Sequence, residues 1–225
     1  MCTSELIVML TYNDLTVKNA FEIFDQCKNS NAKYWGLKEK GLPKNQMKEL
    51  FSFMKEKNKC TVLEVVAYSE NEGLEGAKLA FDCGCDILMG TVFSDSINEF
   101  CLSHNLKYMP FIGDVSERPS VLNGRIDEMI FQAQSYIGKG VFGIDLLGYR
   151  FTGNQFELNK KIVEKVSSPI CIAGSIDSYQ RLDEIKKINP WAFTIGSAFF
   201  EKKFGENFSL QIETVLNYVL NPPHK

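Results

Sequence analysis

Eight apolar runs of strand length recur along this 225-residue chain, and a helix-patterned segment follows each of them. The runs are Leu6–Thr11, Lys33–Lys38, Cys60–Tyr68, Asp86–Val92, Lys107–Ile112, Gly143–Leu147, Pro169–Ala173 and Trp191–Ile195. Their starts lie 27, 27, 26, 21, 36, 26 and 22 residues apart. Neighbouring parallel strands need a crossover of about a dozen or more residues, usually a helix, and every interval leaves room for one. Such alternation specifies an α/β fold built on a parallel sheet. Eight regular units within residues 1–225 suit closure into a single (β/α)₈ barrel better than an open doubly wound sheet.

The intervening segments carry helix signals. Thr16 is placed to cap a helix over 17–27, with Phe21, Ile23, Phe24 and Cys27 on its apolar side. Pro43 can start the second helix, whose stripe is Met47, Leu50, Phe51 and Met54. Further helices are expected over 73–81, 94–102, 125–137, 156–166, 178–188 and 208–220, with Ser178 as a cap. Asn221-Pro222-Pro223 stops the last one. The segment 113–124 is long for a strand-to-helix connection and reads as a lid or as a surface insertion.

Bulk properties exclude several function classes. A net charge of −3 and a pI near 5.6 give no general attraction to nucleic acid or to an anionic membrane. Any anion must be held locally. Seven cysteines without a CxxC pair read as reduced, mostly buried thiols, and neither a signal h-region nor a membrane-length apolar run is present. These features point to a cytoplasmic protein; exposed barrel helices leave a homodimer open. The two histidines, His104 and His224, fall at a helix end and in the C-terminal tail. A Ser-His or Cys-His nucleophile system therefore has no base, and zinc sites of the usual type have too few ligands. No GxGxxG or Walker loop supports nucleotide chemistry. No cofactor or metal is expected, although a carboxylate-bound Mg²⁺ through Glu64 and Asp145 is a minor alternative.

Chemistry in a barrel sits where strands end and loops begin. Asn13, Asp14, Lys38, Glu39, Glu64, Tyr68, Thr91, Asp114, Arg118, Asp145, Tyr149 and Arg150 fall there, and three of these charges interrupt apolar strands: Lys38, Glu64 and Asp145. A buried charge costs several kcal/mol unless paired or solvated by a site, so these are candidate catalytic residues. The competing view is a structural salt-bridge network. A lowered Lys38 pKa would make it a base or a Schiff-base amine, and Glu64 could exchange protons beside a carbonyl. Two Gly-Ser turns follow the last two strands, at Ile172-Ala173-Gly174-Ser175-Ile176 and Thr194-Ile195-Gly196-Ser197-Ala198. Glycine admits close approach of a ligand to backbone N–H groups, and Arg118 and Arg150 are candidate cations for the same anion.

The spacing of those two turns, about 20 residues apart, resembles the phosphate-gripping end of the ribulose-phosphate-binding barrels. That superfamily includes N-acetylmannosamine-6-phosphate 2-epimerase, phosphoribosyl isomerases, hexulose-phosphate synthase and keto-deoxy-phosphogluconate aldolases. The resemblance implies that amides around Gly174, Ser175, Gly196 and Ser197 bind a substrate phosphate. It is specific over the last quarter of the chain and architectural elsewhere. The aldolases' sixth-strand lysine has no counterpart in Asp145-Leu146-Leu147, and the epimerase's seventh-strand glutamate has none in Ala173-Gly174. The expectation is an enzyme acting on a small phosphorylated sugar or keto metabolite, an isomerase or epimerase first. An aldol lyase using Lys38 as a Schiff base and a non-catalytic phosphometabolite sensor are the alternatives.

Overall fold

The computed structural model describes residues 4–220, so the proline stop after the last helix and His224 lie outside the described residues. Eight strands form one parallel sheet: β1 Glu5–Met9, β2 Tyr34–Lys38, β3 Cys60–Val65, β4 Ile87–Gly90, β5 Lys107–Met109, β6 Ile144–Leu146, β7 Ile170–Ile172 and β8 Ala192–Ile195. Their spatial order follows the chain, with β8 returning beside β1. The seam between β5 and β6 is bridged by the Phe142 N–H to the Tyr108 carbonyl at 2.9 Å and the Asp145 N–H to the Pro110 carbonyl at 3.0 Å. The sheet is therefore a (β/α)₈ barrel, as the rhythm of the sequence requires.

Side chains alternate across each strand, and the phase decides which charges enter the barrel. Ile7, Met9, Val62, Ile87, Met89, Met109, Cys171 and Ala192 pack inside it. Tyr34, Phe142 and Trp191 plug its N-terminal end through edge-to-face contacts at 5.4 and 5.6 Å. Leu37, Leu63, Ile144 and Leu146 belong to the outer core against the helices. Lys38, Glu64 and Asp145 are each one residue out of phase with that outer set, so they point into the barrel's upper interior.

The helices are α1 Ala20–Cys27, α2 Lys44–Glu56, α3 Glu70–Asp82, α4 Asp95–Ser103, α5 Ile126–Gly138, α6 Gln155–Lys165, α7 Tyr179–Ile188, the single turn α8 Ser197–Phe200, and α9 Phe208–Leu220. Ser69, Ser94 and Ser178 cap α3, α4 and α7 by accepting the N–H of Glu72, Ile97 and Arg181. Among the described residues no helix is long and apolar enough to cross a membrane.

Two short hairpins depart from the expected plan. Thr11–Tyr12 pairs antiparallel with Leu15–Thr16 directly after β1. Asn13 and Asp14 have φ of +48° and +65°, the two-residue turn whose backbone twist suits tightly joined strands. Thr16 is consequently a strand residue and caps nothing, and α1 starts at Ala20. The 113–124 segment is also a hairpin, Asp114–Ser116 against Val121–Asn123.

Candidate functional site

A cleft of about 710 Å³ opens above the C-terminal ends of the strands. On the β1–β3 side it is lined by Asp14, Lys38, Glu64 and Arg118, and on the β7–β8 side by Gly174, Ser175, Gly196, Ser197 and Arg150. Eight of the nine expected site residues thus share one cavity: Lys38, Glu64, Arg118, Arg150, Gly174, Ser175, Gly196 and Ser197. Asp145 is the exception. It is fully buried, lies opposite Cys171 in register, and has no hydrogen-bond partner at either carboxyl oxygen. Asp145 sits beneath the cleft and does not line it.

Lys38 is held at two points. Its backbone N–H donates to the Thr16 hydroxyl at 2.8 Å, and that hydroxyl donates to the Lys38 carbonyl at 2.9 Å. Its ammonium donates to Asp14 and lies 3.6 Å from Glu64 Oε1. Burial alone would lower the Lys38 pKa, but Glu64, Asp14 and Glu39 together raise it. The expected lowered pKa is therefore corrected. Three carboxylates surround the amine, and it stays an ammonium ion.

Glu64 behaves differently. Burial lifts its pKa, the Lys38 charge pulls it down, and Asp14 and Glu39 add to the rise, with a net upward shift. Asp145 is pushed up further by burial and then by Glu64, against a weaker pull from the Lys38 charge. Cys171 is raised by burial and by Asp145 and Glu64. The competing view of a salt-bridge network among Lys38, Glu64 and Asp145 is met only in part: the ion pairs link Asp14, Lys38 and Glu64 and leave Asp145 out.

Arg118 reaches the acidic side of the cleft. It donates to the Val66 carbonyl, lies 3.5 Å from Glu39 and 4.0 Å from Asp14 Oδ2. Tyr68 secures the same hairpin through the Glu117 carbonyl at 2.5 Å and Ser120 Oγ at 2.8 Å. Arg118 lines the shared cleft, yet its present partners are carboxylates and a carbonyl.

Arg150 is placed against the first Gly-Ser turn. Gly174 has φ of +90°, and a Cβ there would meet Arg150 Cγ at 2.7 Å. Ser175 follows at φ +49°, with its carbonyl accepting from Arg181. Gly174 and Ser175 are thus successive positive-φ residues whose turn lines the cleft. Among the described residues the Arg150 guanidinium has no hydrogen-bond or ion-pair partner. Gly196 has a separate packing reason: a Cβ would meet Thr11 Oγ1 at 2.6 Å and the Thr11 carbonyl at 3.1 Å. Its small size lets the end of β8 pass the base of the first hairpin, whatever the cleft binds.

The sequence places Asp14 and Glu39 at strand ends without a role and reads Thr16 as a helix cap; it does not reveal the hairpin that brings Asp14 and Thr16 onto Lys38. A signal was present in Thr11-Tyr12-Asn13-Asp14-Leu15-Thr16, where two turn-forming residues separate β-prone pairs. Among the described residues, no group of three or more His, Cys, Asp or Glu side chains is placed to hold a metal ion.

No protein-family model matches this chain, and no curated protein does. Solved structures do. Thiamine phosphate pyrophosphorylase from Pyrococcus furiosus aligns over 96% of this chain and 95% of its own, at 18% identity and a TM-score of 0.65. Phosphoribosyl anthranilate isomerase from Thermococcus kodakaraensis aligns over 97% and 100%, at 14% identity and 0.65. The N-acetylmannosamine-6-phosphate 2-epimerase from Clostridium perfringens aligns over 88% of both chains, at 12% identity and 0.62. Likeness at these identities establishes the shared barrel.

Proposed function

We propose that this barrel is an isomerase or epimerase that moves a proton beside the carbonyl of a small phosphorylated sugar or keto compound. One observation carries the reading. An ammonium and a raised carboxyl stand 3.6 Å apart in a cleft whose other side presents two Gly-Ser turns and an unpaired arginine. Arg150 and the amides around Gly174 and Ser175 would grip the phosphate. The reacting carbons would then lie toward Lys38 and Glu64.

In that pose the Glu64 carboxylate removes the proton from the carbon next to the carbonyl. The C–H electron pair becomes the enolate double bond, and the carbonyl pair moves onto oxygen beside the Lys38 ammonium. A proton given to the opposite face by the Lys38 ammonium, with the Glu64 proton then passing to Lys38, gives an epimer; return of the Glu64 proton to the former carbonyl carbon, with the α-hydroxyl proton moving to the former carbonyl oxygen, gives an isomer. No electrons leave the substrate. A carboxyl whose pKa is raised from the ordinary range is a better base for this task, because general catalysis improves as that pKa nears the working pH. A fixed cation beside the developing oxyanion needs no reorganisation as the charge forms.

The ion pairs weigh against the aldol lyase, since a Schiff base requires a free amine and Lys38 is held as an ammonium. That an isomerase and an epimerase share the fold supports the choice among proton-transfer reactions. The test is deuterium wash-in. Candidate ketose and aldose phosphates are incubated with the protein in D₂O and followed by NMR. Label should enter next to the carbonyl, and Glu64→Gln should slow this by about 10² or more. A borohydride-reduced adduct on Lys38 would instead establish the lyase.

A further inference from the structure

The first hairpin and its acidic tip have no assigned role in the reaction, yet they meet Lys38 directly. Thr16 grips the Lys38 backbone from one strand of the hairpin, and Asp14 grips its ammonium from the turn. The hairpin is itself fixed. The Thr16 N–H donates to the Lys40 carbonyl at 2.8 Å, and the Val17 N–H to the Leu10 carbonyl at 3.0 Å. Tyr12 packs on Phe200 with ring centres 5.8 Å apart. Gly41 lies so close to the hairpin that a Cβ would sit 2.1 Å from the Thr16 carbonyl.

We propose that Asp14 is the positioning residue for Lys38, fixing the ammonium in the cleft and linking it to the 113–124 hairpin through Arg118. A lysine stem is flexible and its ammonium is a point charge with no preferred fork geometry. One carboxylate at a defined place removes that freedom. Asp14 Oδ1 takes the ammonium, while buried Oδ2 has no hydrogen-bond partner and lies 4.0 Å from Arg118. Oδ2 is thus the atom through which Asp14 faces the Arg118 guanidinium of the 113–124 hairpin. Opposite charges act on Lys38 from three places: Asp14 from the turn, Glu39 beyond β2 and Glu64 from β3, while the buried Asp145 carboxyl of β6 keeps its proton.

The inference rests on the proposed role of Lys38, but its test does not need a substrate. Asp14→Asn removes the charge and keeps a side chain that readily adopts positive φ. The probe is acetic anhydride at fixed alkaline pH, with the acetylation rate of each lysine read by mass spectrometry. Losing a contacting carboxylate lowers an amine's pKa by about one unit or more, so Lys38 should react about tenfold faster in the variant. Exposed Lys40 serves as the control and should not change. If Asp14→Asn loses its thermal transition, Asp14→Gly suits the same turn and replaces it. An unchanged Lys38 rate in a folded variant overturns the proposal. A faster Lys38 with no deuterium wash-in by the wild type would sink the proton-transfer reading and leave the Asp14 role standing. Where wash-in occurs, the variant should lower kcat tenfold and leave KM within twofold; a rise in KM alone would count against positioning.

Discussion

Asp145 and Glu64 are both carboxyls inside one barrel, and their surroundings separate them. Glu64 reaches the cleft beside an ammonium, whereas Asp145 is sealed beneath it with two unserved oxygens. Burial and the Glu64 charge raise the Asp145 pKa well above its usual range. As pH climbs past about 4, the unfolded chain gives up this proton while the native state keeps it. The unfolded state then binds fewer protons, so Asp145 lowers stability with rising pH until its folded pKa is passed. Asp145→Asn lacks that loss. Urea midpoints of the two proteins should nearly coincide at about pH 4 and favour the variant increasingly toward neutrality. A variant that instead falls behind as pH rises would mean that Asp145 is ionised and paired. Lys38 shows the opposite balance, because its charge serves two carboxylates. Lys38→Met should cost about 2–3 kcal/mol, below the full penalty of a broken buried pair because Asp14 keeps some contact with water. Adding Glu64→Gln should recover only part of it, since Asp14 remains without its cation. Full recovery in chemical denaturation would show that Asp14 contributes nothing.

At the level of elements, the long periodic segments were legible and the short ones were not. Eight strands and their helices follow from apolar runs and intervals, because burying a parallel strand on both faces leaves a continuous hydrophobic signature. The two hairpins leave no such mark. Thr11–Tyr12 and Leu15–Thr16 are two residues each, half of them exposed, and their only signal is the Asn13-Asp14 turn. Reading 17–27 as the first helix absorbed that turn's far side. Gly174, Ser175 and Arg150 were legible as neighbours in one cleft because barrel geometry brings the ends of β6 and β7 together. Glu64 was legible as a partner of Lys38, but Asp14 was not, since its reach to the amine depends on the two-residue turn of a hairpin too short to leave a strand pattern. The second hairpin gives its own expectation. Arg118 and Tyr68 tie it to the ends of β2 and β3. Arg118→Ala removes a charged hydrogen bond, about 1.5–3 kcal/mol, and should raise amide exchange across 114–123 by about tenfold or more. Unchanged exchange would assign the hairpin's order to its own strand pairing.

For the whole molecule, a net charge of −3 means that an anion gains nothing from the protein's general field and must be captured by a local site. A ligand that binds only the native state stabilises it by mass action, about 2.7 kcal/mol at a hundred times its Kd. In a chain of this length that corresponds to roughly 5–10 °C in Tm. Inorganic phosphate should therefore raise the melting temperature by a saturable amount, and sodium chloride at equal ionic strength should not. The choice of variant matters. Gly196→Asp would remove the effect, but the clash of its Cβ with Thr11 would also disturb the β8 end, so lost binding and lost packing would be confounded. Arg150→Ala avoids this, because the guanidinium has no partner within the described residues to leave stranded. The alanine protein should match the wild type without phosphate and lose most of the shift with it. Arg118→Ala should keep the shift, since its partners lie across the cleft on the acidic side. If Arg150→Ala keeps the full shift while Arg118→Ala loses it, the anion sits under the hairpin. The two Gly-Ser turns would then be elements of packing alone.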